Sequence, residues 1–476
     1  MARTEYDLAV IGAGAAGLIA ARFAAQLGAR VLLVERDRIG GDCTWTGCVP
    51  SKALIRVAKA AHEIRTAGRF GIGGAAPTVD MAQVRAFVHR KVQDIYAPTA
   101  PDALRAEGID VALGPAAFVD PVTLGVGERR VVAGRYVVCT GASPIAPPIK
   151  GLGATPHFTY HTVFDIEQLP ESLVVVGGGP LGMELSQAFQ RLGSQVTVLA
   201  PRLLPHDDPE AAGVLQTVFE REGIRWAKGR AVAARAADGR TCVVTNAGHE
   251  FTATRLLVAA GRRPNVRGLG LERAGVTHSD AGIVVDEYLR TNVPCIYAAG
   301  DVLGGEQFSH LAGWQAFEAT RNALLPGSES GRPNPMAWVT FTDPEVAQVG
   351  LTEPAARARG GAVTVTRWEI AKVDRAKCDD DQDGFIKLLS DAKGVLIGAT
   401  IVASRAGEMS GELSLAIAQR LTVADVATAM HAYPTYATAL QQMTSQVASA
   451  RWTTSLMGRA VGRWLGFNHR TVREAK

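Results

Sequence analysis

The expected strand Tyr6 to Ile11 ends in the apolar run Leu8-Ala9-Val10-Ile11, which stops at Gly12-Ala13-Gly14-Ala15-Ala16-Gly17. A helix-like stretch then continues through Leu27, the chain turns at Gly28, and a second apolar run, Val31 to Val34, closes on Glu35. Short apolar runs separated by a glycine turn and a helical segment predict a strand-turn-helix-strand unit of a parallel sheet. The same order returns at Leu173 to Val176, Gly177-Gly178-Gly179-Pro180-Leu181-Gly182, a helix through Leu192 and a strand from Val196 to Leu199. Two such units in one chain predict an α/β protein with two Rossmann-like domains.

The glycines carry a chemical meaning in this setting. Gly12 permits the tight turn, Gly14 lets a pyrophosphate approach the backbone, and Gly17 lets helix and strand pack closely. Phosphate belongs at the helix N-terminus, where unpaired N–H groups point outward. Glu35, at the end of its strand, is placed to accept hydrogen bonds from ribose hydroxyls. Gly177, Gly179 and Gly182 repeat the first set. Glu35 follows Gly17 by eighteen residues, whereas the residue eighteen after Gly182 is Ala200, with Arg202 close behind. Without a carboxylate to repel a 2′-phosphate, and with a guanidinium to bind it, the second site is expected to take NADPH in preference to NADH.

Composition narrows the class. A chain of 476 residues with 47% apolar content builds two or three folded domains. The first strand begins without a basic leader or cleavage site before it, which predicts a cytoplasmic protein. Gly, Pro or charged residues interrupt every apolar run before the roughly 20 residues that a spanning helix needs. The net charge of +4 hides an asymmetry: residues 451–476 hold five Arg and one Lys against one Glu, a net +5, so the rest carries −1. No general nucleic-acid signature is present.

Six cysteines in a long chain do not make a disulfide scaffold. Two of them, Cys43 and Cys48, lie in Gly40-Gly41-Asp42-Cys43-Thr44-Trp45-Thr46-Gly47-Cys48-Val49-Pro50-Ser51-Lys52, at the start of an expected helix and shortly after the first glycine fingerprint. Their spacing allows a small disulfide ring beside a bound dinucleotide, which predicts a redox-active pair. Cys139, Cys242, Cys295 and Cys378 are isolated and are read as packed or incidental thiols. Cys378 precedes Asp379, Asp380 and Asp381, but no second soft ligand is near, so no metal site is expected.

With the cysteine pair following the first of these units, the sequence resembles the class I pyridine nucleotide-disulfide oxidoreductases, which include dihydrolipoamide dehydrogenase, glutathione reductase and mercuric reductase. Further matching segments are Thr140-Gly141-Ala142-Ser143-Pro144, Ala260-Gly261-Arg262-Arg263-Pro264-Asn265 and Ile296-Tyr297-Ala298-Ala299-Gly300-Asp301-Val302. The resemblance implies an FAD domain over 1–150, an NAD(P)H domain over 151–280, a return to the FAD domain over 281–335 and an α+β dimerisation domain over 336–450. It also implies a homodimer, FAD and NADPH as cofactors with NADH possible, and Asp301 on the ribityl chain. Cys48 would contact the flavin and form the charge-transfer pair, while Cys43 would be the exposed sulfur that exchanges with substrate. Lys52 would lie near flavin N5 with Glu184 as its ion-pair partner. A thiolate is the reactive form in such chemistry.

One departure bears on the acceptor. The family's disulfide reducers carry a His-Pro-Thr base, contributed by the partner subunit, and a Glu five residues after the His. The corresponding positions here are Tyr433 and Thr438, within His431-Ala432-Tyr433-Pro434-Thr435-Tyr436-Ala437-Thr438. A phenol with a pKa of about 10 is a poor proton shuttle at neutral pH. If extended, the segment would point His431 to the same side as Tyr433 but roughly 7 Å away along the strand, out of reach of the cysteines, so a structural or solvated role is expected for it. Mercuric reductase also lacks the His-Glu pair, but hands its metal through two C-terminal cysteines, and this chain has none after Cys378. The expected acceptors are a metal ion such as Hg(II), a quinone reached from the flavin, or a disulfide handled without the usual base. A redox sensor without turnover is the non-enzymatic alternative.

Beyond the dimerisation region, Trp452, Leu456, Ala460 and Trp464 recur at helical spacing beside Arg451, Arg459 and Arg463. One basic amphipathic helix is predicted, to pack across the dimer or to touch an anionic membrane.

Overall fold

The structure is a computed structural model that describes residues 4–465. The chain divides into two compact units, Met1–Leu203 with Phe219–Pro333, and Leu204–Val218 with Asn334–Lys476.

The first unit holds both nucleotide-type sheets. Strand Tyr6–Ile11 lies between Val31–Glu35 and Arg129–Val138, parallel to both, and Ile109–Leu113 extends the sheet beyond Val31–Glu35. Ile296–Ala298 joins parallel to Arg129–Val138, so a strand from late in the chain completes the first sheet. Layers on both faces explain why Leu8 to Ile11 reads as a continuous apolar run, with Leu8 to Val10 fully buried. The alanine-rich helix Ala15–Gln26 packs against helix Ser309–Leu324, and Phe23 and Phe317 stand 4.3 Å apart between ring centroids. A second sheet of four parallel strands, Arg225–Lys228, Gln195–Ala200, Ser172–Val176 and Arg255–Val258, carries helix Pro180–Leu192.

The cysteine pair does not share one helix. Cys43 sits in the short helix Gly41–Trp45, and Cys48 opens the long helix Cys48–Thr66. Gly47 makes the break possible, because a Cβ there would stand 2.9 Å from the Asp42 carbonyl oxygen.

The second unit is built on a five-stranded antiparallel sheet in the order Ala337–Thr340, Glu345–Gly350, Leu396–Ala403, Phe385–Ser390, Thr364–Glu369. Its core includes helices Ala406–Ala418 and Thr438–Thr454. Lys387, inside this sheet and 1% exposed, meets Asp208 at 3.1 Å, Glu353 at 2.9 Å and Glu210. That buried cluster holds residues 204–218 in the second unit, although they lie within the stretch read from sequence as the NAD(P)H domain. The predicted single tail helix is two, Thr438–Thr454 and Leu456–Trp464. Ser455 is extended between them and caps the second through Gly458 N at 3.0 Å. Arg470, Arg473, Glu474 and Lys476 lie outside the described residues.

Candidate active site

Two glycine turns supply dinucleotide cradles. Gly12 has φ of +97°, and a Cβ on Gly17 would stand 1.8 Å from the Gly12 carbonyl oxygen, so helix Ala15–Gln26 starts against the strand end. Gly14 is its N-cap and offers no side chain, leaving the first N–H groups free for an anion. Glu35 accepts from Ala13 N at 2.7 Å and from Asp37 N at 2.8 Å, which fixes its carboxylate beside the turn. In the second cradle a Cβ on Gly182 would meet the Gly177 carbonyl oxygen at 2.3 Å, whereas one on Gly179 would meet nothing within 4 Å. Gly178 lies against the backbone of the 200–202 segment, its notional Cβ 2.1 Å from the Arg202 carbonyl oxygen. Exposed Arg202 therefore follows directly from a point of contact with the turn. Lys228, in register with Ala200, adds a second cation that inspection of residues 200–202 alone did not reveal.

Thr140 and Gly141 form one structure with the segment that contains Gly261. Strands Ala142–Pro144 and Arg262–Pro264 pair, Thr140 Oγ1 donates to the Asn265 carbonyl at 2.8 Å, and Asn265 N donates to the Gly141 carbonyl at 2.9 Å. From this hairpin-like contact Arg262 reaches Asp42 at 2.7 Å and also pairs with Asp301. Tyr160 donates to the same Asp42 oxygen at 2.9 Å, and His161 Nε2 is 3.3 Å from the other. Burial works against the Arg262 charge, but Asp301, Tyr160 and Asp42 outweigh it and raise the pKa. Burial lifts the Asp301 carboxyl above its ordinary range despite Arg262. The residue preceding Cys43 is thus anchored by a charged network that also engages Asp301.

Cys43 and Cys48 are free thiols that hydrogen-bond to each other; Cys48 is exposed and Cys43 half-buried, the reverse of the exposure the resemblance implies. The partnership divides their acidities. The bond from Cys43 lowers the Cys48 pKa to about 6 against the effect of burial, with further help from Ser309 and Lys52 and opposition from Glu184. The Cys43 thiol is raised by the same bond and by burial. Ser309 Oγ lies 3.2 Å from Cys48 Sγ. Lys52, one helical turn beyond Cys48, pairs with buried Glu184 at 2.8 Å across to helix Pro180–Leu192. The structure brings positions 43, 48, 52 and 184 together; Ser309, Asp42 and Tyr160 complete the surroundings. Ser309 is 261 residues from Cys48, and nothing in its local sequence signals the contact. Asp42, a charge immediately before Cys43, is a visible signal.

In the second unit Tyr433 is exposed, and its hydroxyl lies 3.2 Å from Asp374 Oδ2. That bond raises the phenol pKa further. His431 does not share its direction: the imidazole is buried, Nε2 meets the Glu412 carboxylate at 2.9 Å, and Nδ1 meets the Ala429 carbonyl at 3.0 Å. Both ring nitrogens are committed. Thr438 Oγ1 is tied to the Ala432 carbonyl at 2.9 Å. Cys139 and Cys242 are buried, Cys295 is half-buried and Cys378 is exposed at the end of helix Asp374–Cys378, so the last is not packed in the core. Among the described residues no group of three His, Cys, Asp or Glu is arranged to hold a metal ion.

Residues 6–323 match the family model described as pyridine nucleotide-disulphide oxidoreductase, and residues 336–444 match the dimerisation domain of the same group. The chain belongs to the pyridine nucleotide-disulphide oxidoreductase family. It is 37% identical to a mercuric reductase of Streptomyces lividans, covering 94% of this chain and 98% of that protein. It is 34% identical to a dihydrolipoyl dehydrogenase of Thermus scotoductus, covering 92% and 96%. A solved Cu(II) complex of the HOCl-induced flavoprotein disulfide reductase RclA from Escherichia coli superposes with a TM-score of 0.83 at 26% identity, covering 92% and 100%. As a member of this family the chain is a flavoprotein oxidoreductase that uses FAD and NAD(P)H and carries a redox-active cysteine pair. Its dimerisation domain supports self-association. Both glycine cradles fit these groups, because each leaves a helix N-terminus uncovered where a pyrophosphate would sit.

Proposed function

We propose that this oxidoreductase takes electrons from NADPH and delivers them through Cys48 and Cys43 to a thiophilic metal ion, with Hg(II) as the leading substrate. The carrying observation is the lack of a base at the positions where the family's disulfide reducers hold one. Tyr433 has a raised pKa, Thr438 is bonded to backbone, and both nitrogens of His431 are taken. Disulfide reduction needs a proton delivered to the leaving thiolate; reduction of a metal ion bound by two sulfurs does not. The relatives named mercuric reductase, and the Cu(II) complex of RclA, support that class of acceptor. One NADPH supplies the two electrons that convert Hg(II) to Hg(0), leaving NADP⁺ and a proton.

Arg202 and Lys228 would bind the 2′-phosphate. Gly12, Gly14, Gly17 and Glu35 would hold the FAD pyrophosphate and ribose, with Asp301 on its ribityl chain. Bound FAD supplies the two-electron link between nicotinamide and dithiol. Lys52, held by Glu184, would place a positive charge near the reactive ring. Cys48 is the sulfur poised as thiolate, and Cys43 the one that meets substrate. Six free thiols suit a reducing compartment such as the cytoplasm.

Anaerobic reduction with NADPH, followed by mixing with Hg(II), lipoamide, glutathione disulfide or a quinone, tests this in wild type and Cys43→Ser. Hg(II) should reoxidise the wild type fastest, and Cys43→Ser should lose that activity. If Cys43→Ser keeps the best activity, electrons leave from the flavin and the dithiol route is wrong. A faster reduction by NADH than by NADPH would remove the cofactor assignment.

A further inference from the structure

We infer that helix Leu456–Trp464 is a docking surface for an anionic membrane, which the protein touches without crossing. At about 100° per residue, Leu456, Ala460, Trp464, Met457 and Val461 span an arc of roughly 140°. Arg459 and Arg463 lie along one edge of that arc. Gly458 and Gly462 lie on the far side and are the buried positions; a Cβ on Gly458 would stand 2.0 Å from the Trp452 carbonyl oxygen. The helix thus packs on its neighbour through glycine and turns its apolar side to solvent. Leu456, Met457 and Trp464 are 81%, 72% and 83% exposed. Trp452, at the end of the preceding helix, adds a half-exposed indole.

The charge identifies the occupant. Residues 451–465 contain three arginines and no acidic residue, and residues 451–476 together carry +5. An apolar face edged by arginine and ended by tryptophan suits a bilayer interface, where the indole takes the boundary and guanidinium meets lipid phosphate. A second copy of the chain fits worse, because pairing this face with itself offers the arginines no acidic partner: residues 451–465 contain none. Among the described residues no helix is long and apolar enough to cross a membrane, so the contact is peripheral. This surface does not depend on which acceptor the active site uses.

The test uses the full-length holoprotein and vesicles of phosphatidylcholine with or without 30% phosphatidylglycerol. Wild type should co-sediment with the anionic vesicles and release at high salt. The double variant Arg459→Glu/Arg463→Glu should bind at least tenfold more weakly, since each basic residue near such a surface contributes about fivefold. Leu456→Ser/Trp464→Ser should also lose binding, with NADPH oxidation retained in both variants as evidence of a folded enzyme. Equal sedimentation of wild type and both variants overturns the inference. So does binding to neutral vesicles that ignores salt. If wild type stays in the supernatant and the variants lower the oligomeric state by light scattering, the face joins copies of this chain, and the membrane assignment is wrong.

Discussion

Changing Ser309 to alanine removes one hydroxyl, 3.2 Å from Cys48 Sγ, at the start of helix Ser309–Leu324. A hydrogen bond to an ionised group contributes about 1.5–3 kcal/mol. Cys48 is exposed in this structure, so solvent screening points to the low end. About 1.4 kcal/mol corresponds to one pKa unit, so the variant's Cys48 pKa should rise by about one unit and its thiolate fraction at neutral pH should fall. The direction follows from a depressed thiol pKa: the reactive anion is present above the folded-state value and is lost as pH falls through it. The groups facing Cys48 are Cys43, Lys52, Glu184 and Ser309, and only the last changes. The assay is the pH dependence of Cys48 alkylation in the dithiol enzyme, resolved from Cys43 by mass spectrometry. The long-wavelength charge-transfer absorbance of the NADPH-reduced holoenzyme provides a second readout. Ser309→Thr should restore the wild-type midpoint. An unshifted midpoint in Ser309→Ala would refute the reasoning and make Ser309 a packing residue only.

Lys52→Met leaves the Glu184 carboxylate, 3% exposed, without its ammonium partner. Breaking a fully buried pair costs about 3–5 kcal/mol, but Lys52 is 36% exposed, so a cost of about 1–3 kcal/mol is expected in denaturant unfolding. A loss below about 0.5 kcal/mol would show that the pair contributes no more than a surface contact. Arg202→Ala should raise KM for NADPH about tenfold, the equivalent of one charge-assisted hydrogen bond at about 1.4 kcal/mol, and leave KM for NADH unchanged. Equal effects on both nucleotides would place Arg202 away from the 2′-phosphate.

Much of the site is legible locally because its chemistry is local. The Gly12 to Gly17 turn, Glu35 and the repeat at Gly177 to Gly182 each serve a cradle made from one strand-turn-helix unit, so spacing along the chain carries the geometry. The cysteine pair is legible for the same reason, since only four residues separate Cys43 from Cys48. His431 has a structural place, as expected from its offset, but its direction is set from far along the chain: burial against Glu412 on helix Ala406–Ala418 turns it away from Tyr433. The tail was read as one helix because periodicity does not register the extended backbone at Ser455.

The family, the two nucleotide folds, the cysteine pair and the tyrosine at position 433 are legible along the chain, since each depends on residue type at short, rigid spacing. Tertiary structure alone showed which distant groups stand around the two sulfurs. Ser309, Glu184 and Arg262 reach the cysteine loop from far along the chain, and a hydrogen bond or an ion pair depends on distance in space. The same holds for Lys387, whose buried charge binds residues 204–218 into the second unit. The solvent-facing side of helix Leu456–Trp464 also emerged only there, because burial of Gly458 and Gly462 settles which side packs and which remains for a partner.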